Sequence, residues 1–250
     1  MEPMPVVPDI LTARFEDEAI LRLRNYFGTH KEYRRFASIG PETTSLPVFS
    51  GSRFDSFGRV DGDQDTVTPA DLLSLAFLSV EVSAEAVIGI LEQSGPQIEA
   101  LLRQVPSDLA LHTMDYAAFE QVLGASDSPG RMLWDILRAH HLPVSWGMGE
   151  TRVSKLLARK RPHLIPIWDS HVGQALDLPH SGEHWIVMHS LLQDPELIER
   201  LERLRHSAIA DRANVSLLRV FDVLVWHAQK YSGGPTTWPA SDSGDASRTV

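Results

Sequence analysis

The sequence holds no cysteine among its 250 residues. That excludes a disulfide framework, a thiolate metal site, a cysteine-held iron–sulfur cluster and a cysteine nucleophile. Long apolar runs are also absent. A bilayer span needs about 20 apolar residues, and the longest apolar-looking stretch, Leu72 to Val82, is interrupted by Ser74, Ser79 and Glu81. The N-terminus, Met1-Glu2-Pro3-Met4-Pro5, lacks the basic segment and apolar stretch of a secretory signal. The expectation is a cytoplasmic protein with no membrane partner. Positive charge is scarce: 23 Lys and Arg stand against 33 Asp and Glu, a net of −10. Such a balance argues against indiscriminate coating of nucleic acid, because phosphate binding needs local positive charge. A hydrophobic share of 43% with 22% charged residues is ordinary globular composition and excludes a wholly disordered chain.

Alternating strand patterns and fixed-period repeats are lacking, and helix signals fill the chain instead. Leu11, Phe15, Ile20, Leu21, Leu23 and Phe27 predict a helix over 10–27, stopped by Gly28. Residues 38–66 carry Gly40, Pro41, Pro47, Gly51, Gly58 and Gly62 and read as loop or short hairpin. Thr68, Pro69 and Asp71 form a helix start, with a cap, a proline suited to the first turn and an acid at the positive end of the dipole. Further helices are expected over 83–93, 96–102, 115–123, 129–141, 150–160, 169–176, 195–207 and 214–231. The expected fold class is therefore mostly α: one domain over 1–231, of two helical lobes with a cleft. Residues 232–250, rich in Ser, Gly, Pro and Asp, read as a disordered tail.

Charge is unevenly spread. Between Arg131 and Ile165 lie seven cations (Arg131, Arg138, Arg152, Lys155, Arg159, Lys160 and Arg161) and two acids (Asp135 and Glu150), a local net of +5 that leaves −15 for the rest. The cluster sits on two predicted helices joined by a turn holding Gly147-Met148-Gly149. Two glycines one residue apart let backbone amides face outward at a helix N-terminus, where phosphates bind. Trp146-Gly147-Met148-Gly149 leads into the second helix, and Ile165-Pro166-Ile167-Trp168-Asp169-Ser170-His171-Val172 follows, with Asp169 twenty residues after Gly149.

This stretch of about 40 residues, within a helix–hairpin–helix of about 129–161, resembles the helix-hairpin-helix DNA glycosylase superfamily, the group that contains endonuclease III. The resemblance implies that Gly147 and Gly149 bind phosphate through backbone amides; Thr151, Arg152, Lys155, Arg159, Lys160 and Arg161 are the further candidates for nucleic-acid contact. It implies that Asp169 is the catalytic carboxylate. Thr151 stands where lyase-active members carry lysine, so the implied activity is N-glycosidic hydrolysis without lyase chemistry. Trp146 replaces the proline usual before the first glycine, and Gln174 replaces an arginine.

Hydrolysing an N-glycosidic bond develops positive charge on the sugar, which a nearby carboxylate stabilises or meets with an activated water. Asp169 suits that task, and an N-cap role is the plainer alternative for it. A flipped base needs aromatic walls, for which Trp146, Trp168, Phe49 and Phe54 are candidates, with Arg53 and His171 beside them; core packing is the alternative for the aromatics, a surface salt bridge for Arg53, and a solvated helix face for the cations. The expected partner is DNA or a nucleoside-type ligand, with no cofactor. Two other readings stand beside hydrolysis of DNA: a non-catalytic DNA-binding or scaffold protein, and an enzyme acting on a nucleoside or other small molecule. His180-Ser181-Gly182-Glu183-His184 matches a zinc-peptidase pattern that needs both histidines on one continuous helix. Pro179 and Gly182 argue for a turn there, so no metal site is expected.

Overall fold

The computed structural model describes residues 5–29, 34–39, 42–47, 49–60, 63–139, 146–210, 212 and 214–234. The fold is mostly α, as composition and periodicity predict. The elements are α1 (Glu16–Phe27), a hairpin of β1 (Arg34–Ile39) and β2 (Glu42–Pro47), α2 (Pro69–Ser74), α3 (Ala84–Ile88), α4 (Gly95–Leu102), α5 (Tyr116–Phe119), α6 (Pro129–Arg138), α7 (Glu150–Lys160), α8 (Ser170–Ala175), α9 (His184–Leu191), α10 (Pro195–Ile209) and α11 (Leu217–Lys230). The two strands pair antiparallel, from Arg34 opposite Pro47 to Ile39 opposite Glu42.

Helix starts follow the capping chemistry of the sequence. Thr68 accepts from the Asp71 N–H and Asp71 answers at the Thr68 N–H, a reciprocal box with Pro69 in the first turn. Ser128 and Ser216 cap α6 and α11 with their hydroxyls. Gly28 ends α1 in the left-handed conformation at φ 60°, which costs glycine little. Before α1, residues 9–15 form 3-10 turns rather than the single helix expected from residue 10. The hairpin begins at Arg34, four residues before the 38–66 stretch read as loop or short hairpin, and its second strand lies inside that stretch. One helix, α9, went unread: His184-Trp185-Ile186-Val187-Met188 is apolar almost all round and lacks the polar face that marks a surface helix. The expected helix end at His140-His141 and most of the expected tail lie outside the described residues.

In one packing group, α11 lies against α1, α8 and α10. In another, α4 and α7 pack on α6, and α2 reaches α7. The core is continuous, from Leu23 and Phe27 of α1 through Leu156 and Leu157 of α7 to Phe221 and Leu224 of α11. Every residue of α7 from Val153 to Lys160 is buried. No helix among the described residues is long and apolar enough to cross a membrane.

Candidate active site

The central position of α7 decides what its cations do. A charged group taken out of water needs paired and hydrogen-bonded partners, and each cation of this run has them inside the protein. Arg159 Nε donates to Asp71 Oδ1 at 3.0 Å, and its other nitrogens donate to the Phe54 and Phe57 carbonyls. Lys160 Nζ reaches Asp71 Oδ2 at 2.8 Å and the Thr66 carbonyl at 2.7 Å. Arg161 holds Asp65 at 2.6 Å and the Val105 and Gln64 carbonyls. Lys155 Nζ donates to the Leu78 carbonyl at 3.0 Å. The expectation that Arg159, Lys160 and Arg161 contact nucleic acid is corrected: their charges are turned inward and fasten this run to the segments around 54–66 and 102–105, while Lys155 is tied to residue 78 and also borders a cavity.

The glycine turn is different. A Cβ at Gly147 or Gly149 would meet nothing within 4 Å, so the backbone there borders open space, and Gly147 has φ +67°. Arg152 fastens the turn, with Nε on the Glu81 carbonyl at 2.5 Å and Nη1 on the Gly147 carbonyl at 3.1 Å. Thr151 is half-buried. Glu150 sits in the first turn of α7, 3.5 Å from Arg138, and accepts the Ser181 N–H at 3.2 Å. The protein's own carboxylate thus already sits at the positive end of the helix dipole.

Asp169 opens α8. Its Oδ1 accepts the His171 and Val172 N–H groups, both at 3.0 Å. The segment before it is pinned by Ser154 of α7, whose Oγ accepts the Trp168 N–H at 3.0 Å. Asp169 is therefore both an N-cap and a wall of a cavity of about 380 Å³, within the size range of small-ligand sites. The cavity is lined by Tyr26, Phe49, Gly51, Phe77, Lys155, Asp169, His171, Arg219, Asp222 and Trp226, among others. Phe49 stacks on Tyr26 with ring centres 5.2 Å apart, and Trp226 meets both edge-on at 5.9 Å. Lys230 stands over the Trp226 ring at 4.7 Å.

Of the pocket residues expected from sequence, Phe49 and His171 line this cavity. Trp146, Trp168 and Phe54 do not; they are buried in the core, Trp146 over Gly89 and Trp168 under Gly173. Arg53 is exposed and is not among the residues lining the cavity. His184 is the first residue of α9 while His180 lies outside that helix, and no metal-holding group of His, Asp and Glu occurs among the described residues.

The charges in the cavity wall were legible only in part. Lys155 lies on one side, and burial holds its ammonium below the usual lysine range while the Asp169 charge opposes that shift. On the other side, α11 contributes Arg219 and Asp222. Arg219 donates to Asp222 Oδ2, to Asp55 Oδ2 at 3.1 Å, to the Tyr26 hydroxyl at 2.7 Å and to the Gly51 carbonyl at 3.0 Å. Three carboxylates (Asp55, Asp169 and Asp222) thus share two buried cations, Lys155 and Arg219. Burial pushes Asp222 up to about 6, the Asp169 charge adds to that, and Arg219 opposes it. Burial likewise pushes the Tyr26 hydroxyl up to about 12. Sequence reading missed Tyr26, Arg219 and Asp222. The available signal was Arg219-Val220-Phe221-Asp222 inside an otherwise apolar helix, where two charges must pair and face something polar.

No curated protein and no solved structure matches the chain. A family model described as a family of unknown function (DUF6308) matches residues 19–229, and the chain belongs to that family.

Proposed function

We propose that this member of a family of unknown function is a hydrolase that cleaves the N-glycosidic bond of a nucleoside unit bound in the Asp169 cavity. The reading rests on one observation: a carboxylate held by two backbone N–H groups opens onto an aromatic-walled cavity of about 380 Å³. Asp169 Oδ1 is committed to the start of α8, which fixes the direction of the group, and Oδ2 is the oxygen this reading assigns to the substrate. A nucleobase stacks against the Phe49, Tyr26 and Trp226 surfaces. As the bond to the base lengthens, C1′ of the sugar becomes cationic. Asp169 stabilises that charge and takes the proton of the attacking water. Lys155 shares the wall of the cavity with it.

The inward-turned cations and the net charge of −10 favour a free nucleoside or short strand over duplex DNA. The open Gly147–Gly149 turn supports a second reading, in which the nucleoside unit belongs to a nucleic-acid strand whose phosphate rests on that backbone. Incubating purified wild type and Asp169→Asn with ribonucleosides, deoxyribonucleosides and damaged oligonucleotides, and separating free base by chromatography, tests both. Free base from nucleosides at a rate insensitive to salt supports the first. Release from oligonucleotides alone, falling steeply between 50 and 200 mM salt as counterion release requires, supports the second. No release from any substrate overturns hydrolysis altogether.

A further inference from the structure

Breaking the bond between sugar and base leaves an electron pair on the base, and a departing nucleobase anion is a poor leaving group unless it is protonated. The hydrolase reading, on which this inference rests, gives Asp169 to the sugar side and leaves the base side without a proton source. We infer that Asp222 is that source, the general acid that protonates the departing base. The observation is geometric. Asp222 lines the same cavity as Asp169 but comes from a different helix, α11. One oxygen, Oδ2, is fixed by Arg219, which is itself held by Asp55, Tyr26 and the Gly51 carbonyl. The other oxygen has no hydrogen-bond partner among the described residues, and the residue lines the cavity.

The surroundings give the proton a reason to be there. The groups acting on Asp222 are Arg219 on its own helix, Asp169 at the start of α8 and Lys155 of α7. Asp55 and Tyr26 stand behind Arg219, and His171 of α8 shares the cavity. Lys155 and Arg219 are the buried cations of this group, with Lys230 an exposed third at the cavity wall; the side chain of Asp222 is only 8% exposed, and burial together with the Asp169 charge favours a proton on this residue. Two acids in one site with separated protonation states are the arrangement that acid–base cleavage of a glycosidic bond needs.

The step balances. The C1′–N bond breaks and its electron pair passes to the base, which takes the proton of the Asp222 carboxyl. A water oxygen bonds to C1′ and gives its proton to Asp169. Exchange with solvent then returns a proton to Asp222 and removes one from Asp169.

The test compares two leaving groups on the same sugar: a nucleoside, whose base needs a proton, and the p-nitrophenyl glycoside, whose phenolate does not. For Asp222→Asn, which keeps the shape and an oxygen for Arg219, kcat/KM on the nucleoside falls about 100-fold or more, the range for a lost general acid. The loss on the p-nitrophenyl glycoside is at least about tenfold smaller, and cleavage of that substrate also reports that the variant is folded. Asp169→Asn loses both alike. The wild-type nucleoside profile falls as pH rises above about 6, and the Asp222→Asn profile does not. Equal losses on the two substrates, or an alkaline limb that survives in Asp222→Asn, overturn the assignment while leaving Asp169 in place. A wild type inactive on both substrates overturns the free-nucleoside reading and this inference with it.

Discussion

Removing the Asp71 carboxylate tests whether the basic run of α7 is structural. Oδ1 of Asp71 accepts from Arg159 at 3.0 Å, and Oδ2 accepts from Lys160 at 2.8 Å and from the Thr68 N–H at 3.0 Å. The side chains of Arg159, Lys160 and Asp71 are 0%, 5% and 6% exposed. Asp71→Ala strands two buried cations and removes the Asp71 half of the capping box of α2. Breaking a buried pair from one side costs about 3–5 kcal/mol. The cap alone is worth about 1 kcal/mol, but the same Oδ2 serves cap and Lys160, so the two losses overlap and the expected total stays near 3–5 kcal/mol. For a chain of this size that lowers Tm by roughly 10 °C. Urea unfolding followed by circular dichroism at pH 7 measures it. A loss below about 1 kcal/mol, the ordinary worth of a solvated ion pair, would refute the reasoning and return Arg159 and Lys160 to the surface as cations available to a polyanion. The acid side gives a second check. Lys160 and the Thr68 N–H hold the Asp71 carboxyl below its usual range against the pull of burial. Its contribution is therefore complete above about pH 4 and is lost as pH falls further, and Asp71→Ala unfolds with less acid sensitivity in that window.

Two further outcomes are expected. His184 is buried with no hydrogen-bond partner for either ring nitrogen among the described residues, and burial holds it down at about 3. The unfolded chain binds that proton near pH 6.5 and the folded chain does not, so stability falls as pH drops from about 6.5, by up to about 1.4 kcal/mol per pH unit; in His184→Phe, unfolding free energies measured at pH 6.5, 5.5 and 4.5 show a shallower slope, and an unchanged slope refutes the assignment. Gly51→Ala places a Cβ 2.0 Å from the Tyr26 hydroxyl oxygen, which displaces the ring and the Arg219 anchor; stability falls by roughly 1–3 kcal/mol and the wall of the cavity shifts, visible as a raised KM for the nucleoside.

The local grammar of this chain was readable because it is written in neighbours. Thr68, Ser128 and Asp169 each lie next to the helix they cap, and the α7 helix starts and stops where its sequence indicates. What could not be read depends on residues far apart. The charge cluster of α7 was visible, but its direction was not, because Asp65 and Asp71 lie about 90 positions away from Arg161 and Arg159. The same holds for the aromatics. Phe49 and Phe54 differ by five positions, yet Phe49 walls the cavity while Phe54 is sealed beneath Arg219 and Arg159. Asp222 was hidden in an apolar helix whose neighbours in space come from the other end of the chain, Tyr26 and Gly51 above all.

Initial rates of base release from a free nucleoside, compared between wild type and Asp169→Asn at equal protein concentration, address the central proposal with least intervening inference. Wild type turns over measurably and the variant at least about 100-fold more slowly, with the circular dichroism of the two indistinguishable. A variant that releases base as fast as wild type would contradict the proposal.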